Sequence, residues 1–229
     1  MSVASRAAIH IRARRNALVL ASVVAVAGGL GVTVAPAVAV TRTPYNTNLI
    51  KNPGFEAGPA SDGTYDVLVP SWDLSYGDLH NQPTVVAYGT AGGFPTAAEG
   101  QRISGGKQFL ASGLGGNYQC GSAGQYVAIR GRNSAIDSGH VVLVLKANMG
   151  TYDDQTDTAV AQVEPAGNLP LGNGITITAT HTNGQLVRRS AALSLPVGTR
   201  SFRIDLWAQD TVGYCDAYFD KVSVKLVYV

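Results

Sequence analysis

Residues that drive enzyme chemistry are scarce in this chain. Its 229 residues hold two cysteines, two tryptophans and four histidines. No Gly-x-Ser-x-Gly elbow and no His-Glu-x-x-His motif occurs, so neither a hydrolase nucleophile on a strand-to-helix turn nor a helical zinc site is written into it. Glu56, Glu99 and Glu164 are its only glutamates, so a glycosidase pair would have to draw on aspartates in loops. After residue 15, Lys and Arg form no run longer than Arg188-Arg189, which argues against nucleic-acid binding. Helical periodicity is missing after residue 39, and so is any internal repeat.

The one long apolar run lies at the start. Arg6, Arg12, Arg14 and Arg15 precede the apolar stretch 17–34, and Ala37-Val38-Ala39 has the A-x-A form of a cleavage site. Residues 1–39 therefore read as a secretory signal cut after Ala39, which makes the protein extracellular. An uncleaved anchor is the alternative, since the stretch is about long enough to span a bilayer. The small-residue ending and Pro36 favour cleavage. Cleavage leaves 190 residues, the size of one domain, with no membrane span. The remaining 13 basic and 15 acidic side chains turn a formal charge of +2 into −2. In an exported chain the pair Cys120 and Cys215 implies one disulfide, worth up to ~4–5 kcal/mol on the chain-entropy model. Two free thiols are the alternative.

What is present reads as strands. Residues 40–47 form a loose polar leader, and 48–229 form one domain. Short strands are expected at 48–50, 84–88, 108–112 and 124–129, with Trp72 as a core anchor and 89–106 as a long glycine-rich loop. The run 140–147 (HVVLVLKA) is nearly continuous in apolar residues and so belongs at the centre of a sheet, with His140 at its start read as structural. Residues 158–164, 175–181, 186–195, 201–208 and 217–227 alternate as half-buried strands do. Asn183-Gly184 between two of them is the strongest short hairpin signal. Strands punctuated by Gly, Pro and Asn predict an all-β fold, an antiparallel sandwich or barrel. If the two ends lie side by side, Glu56 and Asp220 share one cation.

Several of these stretches, taken in order, resemble a known superfamily. Residues 48–56 (NLIKNPGFE), Trp72 opening the second strand, 105–110 (GGKQFL) and 218–224 (YFDKVSV) are similar to the galactose-binding-domain-like β-jelly rolls. That superfamily includes carbohydrate-binding modules of bacterial glycosidases. Residues 150–157 and 186–200 look like a variant common in secreted actinobacterial proteins. The resemblance spans nearly all of the chain after residue 47 and implies a jelly-roll sandwich. It also implies a structural Ca²⁺ held by the Gly54 carbonyl, Glu56, the Lys107 carbonyl and Asp220. Lys221 departs from the family, which has Asp or Asn there and so brings no positive charge beside the site. Without a cation, Glu56 and Asp220 would each hydrogen-bond to nearby backbone. The acidic loop 153–157 lacks the glycine and terminal glutamate of an EF-hand and reads as a solvated turn.

The fold hosts many functions, so a ligand has to be argued from side chains. Sugars stack on aromatic faces. Trp207 falls outside the alternation of Phe202, Ile204 and Leu206 and is expected on the opposite face of its strand. Tyr76, Tyr118, Tyr152 and Tyr214 lie in expected loops, so Trp207, Tyr76, Tyr118 and Tyr152 form the candidate platform. The resulting expectation is a secreted, non-catalytic module that binds carbohydrate or a cell-surface glycan. An extracellular structural or adhesive protein without a small ligand is the alternative, and a hydrolase with an unrecognised site the least favoured.

Overall fold

The computed structural model describes residues 41–61, 67–75, 82–112, 120–167, 173–209 and 215–229. The signal-like segment lies outside them, and Ala39–Val229 is one compact unit. Ten strands and two short helices occur among the described residues: β1 (Asp73–Ser75), β2 (Thr84–Ala87), α1 (Ala97–Ile103), β3 (Gln108–Ala111), β4 (Ser122–Ala128), α2 (Asn133–Asp137), β5 (Val141–Thr151), β6 (Thr158–Gly167), β7 (Ile175–Thr180), β8 (Val187–Ser194), β9 (Thr199–Gln209) and β10 (Ala217–Tyr228). They form two five-stranded antiparallel sheets, ordered β1-β4-β9-β6-β7 and β2-β3-β10-β5-β8. The fold is a β-sandwich, as the strand pattern predicts.

Alternation sets which face of each strand enters the core. Leu143, Leu145, Ala147 and Met149 of β5, Phe202, Ile204, Leu206 and Ala208 of β9, and Val222, Val224 and Leu226 of β10 are all buried in it. Truncating one such Leu to Ala removes ~2–5 kcal/mol, because the packed surroundings cannot close the cavity. Trp72 is buried to 6% exposure, stacks on Phe55 with centroids 5.3 Å apart, and donates from Nε1 to the Asn52 carbonyl at 3.2 Å. Cys120 and Cys215 are joined, with Cα atoms 5.4 Å apart, so the disulfide is present.

Three expectations change. Residues 48–50 do not form a regular strand, yet they run beside β10. The Leu49 amide donates to the Val224 carbonyl at 2.9 Å, and the Asn48 side chain receives the Val224 amide at 3.0 Å while donating to the Val222 carbonyl at 2.9 Å. A side-chain amide thus replaces backbone pairing and breaks the ladder. The segment before it, read as loose, donates from Thr43 and Asn46 to the Arg130 and Leu226 carbonyls, and Tyr45 lies 3.9 Å beneath the Arg132 guanidinium. Second, the glycine-rich stretch 89–106 contains α1, whose Thr96 side chain accepts from the Glu99 amide. Thr96-x-x-Glu99 has the spacing of a capping box. The helix is only seven residues long and buries Glu99 and Gly100 rather than an apolar stripe, which hid it from a periodicity test. Third, Asn183 and Gly184 both adopt positive φ (51° and 71°), and Gln185 donates back to Thr182 as in a type I′ turn. The strands they join lie in different sheets, so the turn carries the chain from one layer to the other instead of closing a hairpin.

Candidate functional site

Two places on the sandwich assemble side chains that the core does not require. The first is the carboxylate pair. A bulge in β10 between Asp220 and Ser223, with Lys221 at φ 49°, turns Asp220 inward. Its carboxylate is fully buried and receives the Tyr88 hydroxyl on Oδ2 at 2.7 Å and the Lys221 amide on Oδ1 at 2.6 Å. Glu56 lies on the exposed side of the same place, and its Oε1 accepts the Lys107 and Gln108 amides at 2.9 and 3.1 Å. Burial pushes the Asp220 carboxyl up to about 7. The Tyr88 hydrogen bond opposes this, and the negative charge of Glu56 adds to it. The Tyr88 phenol is raised above its ordinary value by burial and then by Asp220.

Glycines make this approach possible. A Cβ on Gly105 would collide with Asp220 Oδ2 and Tyr88, and one on Gly106, whose φ is 88°, would collide with Glu56. A Cβ on Gly54 would lie 3.3 Å from Asp220 Oδ1. The structure therefore brings Gly54, Glu56, Lys107 and Asp220 together from three chain segments. Each carboxylate also has hydrogen-bond partners of its own, so the arrangement does not need a cation to be satisfied. Its donors are oxygens, its deepest group is a carboxylate that resists ionisation alone, and these features suit a hard cation such as Ca²⁺. No group of three or more Asp, Glu, His or Cys able to hold a metal occurs among the described residues, so carbonyls would have to complete the shell. Lys221 directs its ammonium away to the Ser104 carbonyl at 2.8 Å.

The second place is the outer face of the sheet β1-β4-β9-β6-β7. In β9 the even-numbered residues 202–208 are buried, and Arg203, Asp205 and Trp207 alternate onto the other side. Trp207 thus follows the alternation, as the outward member of a strictly two-faced strand. Register defines its neighbours. Ser122 and Val160 flank Trp207, Gly124 and Gln162 flank Asp205, and Tyr126 and Glu164 flank Arg203. Asp73 pairs with Gly124 from the edge strand. The Arg203 guanidinium grips Asp205 through Nε at 2.9 and 2.8 Å and through Nη2 at 2.8 Å, which strengthens its hold on its proton. Gln162 donates to Glu164 at 2.8 Å. Gly124 leaves room for this pair, since a Cβ there would lie 2.5 Å from both Arg203 Nη2 and Asp205 Oδ1. Tyr126 is 62% exposed, and its hydroxyl bonds Ser201 at 2.5 Å. Beside it opens a hollow of about 410 Å³ lined partly by Asp73 and Lys51.

Of the aromatics singled out in the sequence, only Trp207 lies on this face among the described residues. Tyr152 follows β5 in the other sheet, packed against Gly93 and beside a small cluster containing Phe109, Leu186 and Tyr218. Tyr76, Tyr118 and Tyr214 lie outside the described residues. Arg203 and Asp205 share the parity of Trp207 along β9, a signal the sequence carries, whereas Tyr126, Gly124 and Gln162 join this face only through cross-strand register. In the acidic loop, Asp157 is fully buried rather than solvated, and Gln155 Oε1 is buried without a hydrogen-bond partner among the described residues.

No family model matches the chain, and no curated protein matches it. Solved structures do. A Stig cyclase from Fischerella sp. TAU, in complex with an indole compound, matches at 12% identity over 80% of this chain and 98% of its own, with a TM-score of 0.53. The enzymatically active domain of bacteriophage CBA120 tailspike protein 4 matches at 13% identity and TM-score 0.51, over 79% of this chain but only 21% of its own. TmCBM61 in complex with beta-1,4-galactotriose matches at 16% identity over 80% and 99%, with a TM-score of 0.49. What the chain shares with the cyclase and the tailspike domain at these identities is the β-sandwich fold.

Proposed function

We propose that the protein is a secreted glycan-binding module. A sugar chain lies across the outer face of β4, β9 and β6, with one ring stacked on Trp207. The observation that carries this reading is the register around Trp207. A half-buried indole sits between Ser122 and Val160, one row from Asp205 and Gln162 and two rows from Arg203, Tyr126 and Glu164. Stacking holds the apolar face of a sugar, the carboxylate and amide oxygens accept from its hydroxyls, and the guanidinium and amide N–H groups donate to them. The Arg203–Asp205 pair holds both side chains in place before any ligand arrives, which lowers the ordering cost of binding. Gly54, Glu56, Lys107 and Asp220 would hold a structural Ca²⁺ between three chain segments, with the Gly54 and Lys107 carbonyls completing the carboxylate set. The ion supplies charge neutralisation there and takes no part in sugar contact.

The test is a pull-down on insoluble polysaccharides and a soluble glycan panel, using residues 40–229, with Trp207→Ala alongside and with or without chelator. Binding that falls at least tenfold (about 1.4 kcal/mol) in Trp207→Ala supports the site. Binding unchanged in Trp207→Ala removes the site and keeps the function. A folded, calcium-stabilised protein that retains no glycan points instead to an adhesive or structural role. A second reading, catalysis, is favoured by one observation: Asp73, Asp205 and Glu164 all act electrostatically on Arg203, placing three carboxylates around one guanidinium. Release of reducing ends in the same incubations would select it.

A further inference from the structure

The outer face of the other sheet differs in chemistry. There β10, β5 and β8 are neighbours, and Lys225 pairs with Val144, Lys146 with both Ser223 and Ser190, and Arg188 with Asn148. Paired residues share a face, as do residues two apart along a strand. Lys225, Lys146 and Arg188 therefore step across the sheet on one diagonal. Each step moves one strand over and two residues along, about 7–8 Å between Cα atoms. Arg102 continues the positive surface beyond Arg188, since its guanidinium donates to the Leu186 carbonyl at 2.8 Å. Lys221 flanks it. All five cations line a single open groove of about 590 Å³, and no Asp or Glu lines it.

Charge is left uncompensated along this groove. Arg102 is paired with Glu99 at 2.6 Å, but Lys146, Arg188 and Lys225 have no carboxylate partner among the described residues. The groove takes five of the 13 basic residues that follow residue 39, in a segment whose formal charge is −2. Like charges held in one line repel, so the arrangement lowers stability unless an anion meets it. No aromatic side chain lines the groove, so neutral rings and nucleobases find no stacking surface there. Asn148 and Ser223 place polar side chains between the cations. A line of cations with hydroxyl-binding groups between them matches an extended, polyhydroxylated chain bearing regularly placed oxyanions. A compact anion would need a cluster.

We infer that this groove binds a linear, polyhydroxylated polyanion, its carboxylate or phosphate groups meeting Lys225, Lys146 and Arg188 in turn. The site lies on the face of the sandwich opposite Trp207 and acts independently of it.

The test uses residues 40–229 and three fluorescent probes in anisotropy titrations: polygalacturonate, poly(glycerol phosphate) and single-stranded DNA of similar charge. Binding to one or both acidic polyols is expected, weakening at least tenfold as salt rises from about 0.05 to about 0.5 M, where screening is nearly complete. Binding to only one of them identifies the oxyanion. Lys146→Ala and Arg188→Ala should each weaken binding several-fold. The double variant Lys146→Glu/Arg188→Glu should abolish it without lowering the melting temperature, since it relieves the repulsion, while Trp207→Ala leaves it intact. Arg130→Ala, which removes the same charge elsewhere, should have little effect. The inference is overturned if neither polymer binds, if DNA binds equally well, or if Arg130→Ala weakens binding as much as Arg188→Ala.

Discussion

Removing the charge of Asp220 should stabilise this protein above neutral pH when calcium is withheld, and supplying calcium should cut that advantage by more than half. A carboxyl that titrates near 7 in the fold, against an ordinary aspartate value near 3.9, carries roughly 4 kcal/mol of ionisation cost above neutral pH. Between those two values the folded state holds more protons than the unfolded one. In chelator, wild-type stability is therefore full below about pH 4, falls as pH rises towards about 7, and is flat beyond. Asp220→Asn cancels that slope. Its amide keeps the Lys221 bond through oxygen, and the Tyr88 hydroxyl can rotate to accept from the new N–H. Calcium at about a hundred times its dissociation constant would add about 2.7 kcal/mol to the wild type, some 5–10 °C in melting temperature for a domain of this size, and nothing to Asp220→Asn. Thermal melts of both proteins at pH 5 and pH 7.5, with EDTA or calcium, decide the matter. A wild type indifferent to calcium, with Asp220→Asn less stable in EDTA at pH 7.5, would refute the reasoning. It would mean that Tyr88 and the backbone alone satisfy Asp220.

Other expected outcomes concern single contacts. Reducing Cys120–Cys215 should cost ~2–5 kcal/mol, seen as a melting temperature lowered by roughly 5–15 °C in dithiothreitol. Trp72→Ala should cost ~3–5 kcal/mol in urea titration, since the ring is core, whereas Trp207→Ala should cost far less and act on binding. Gly124→Val should displace Arg203 from Asp205 and weaken glycan retention in the pull-down at least tenfold, with the fold preserved by circular dichroism.

Much of the sandwich was legible because its strands are two-faced. Residues such as Ile177 and Ala179, or Phe202 to Ala208, repeat at a period that only a pleated strand satisfies, and the observed strands lie within a few residues of the expected ones. The elements missed are those without such a signal. Helix α1 buries a carboxylate and a glycine, and the segment at 48–50 pairs through an asparagine side chain. The Asn183-Gly184 turn shows why turn chemistry is local: it fixes two backbone conformations and not which sheet receives the next strand. Sites fared in the same way. Glu56 and Asp220 come together because both sit in short motifs at the two ends of the chain. The Trp207 face and the Lys225–Lys146–Arg188 diagonal need register across three strands, and no spacing along one strand contains that. Lys146 and Arg188 are 42 residues apart in sequence yet diagonal neighbours in the sheet.

The measurement closest to the central claim uses the two tryptophans as mutual controls. In an amide and indole nitrogen–proton spectrum, Trp72 reports the core through its bond to Asn52, and Trp207 reports the outer face of β9. Oligosaccharides of galactan, xylan and glucan are titrated in turn. A bound glycan should shift the Trp207 indole signal together with the amides of Asp205 and Gln162, and leave the Trp72 indole unmoved. Saturable binding that leaves the Trp207 signal in place, or moves only residues of the opposite sheet, would contradict the account.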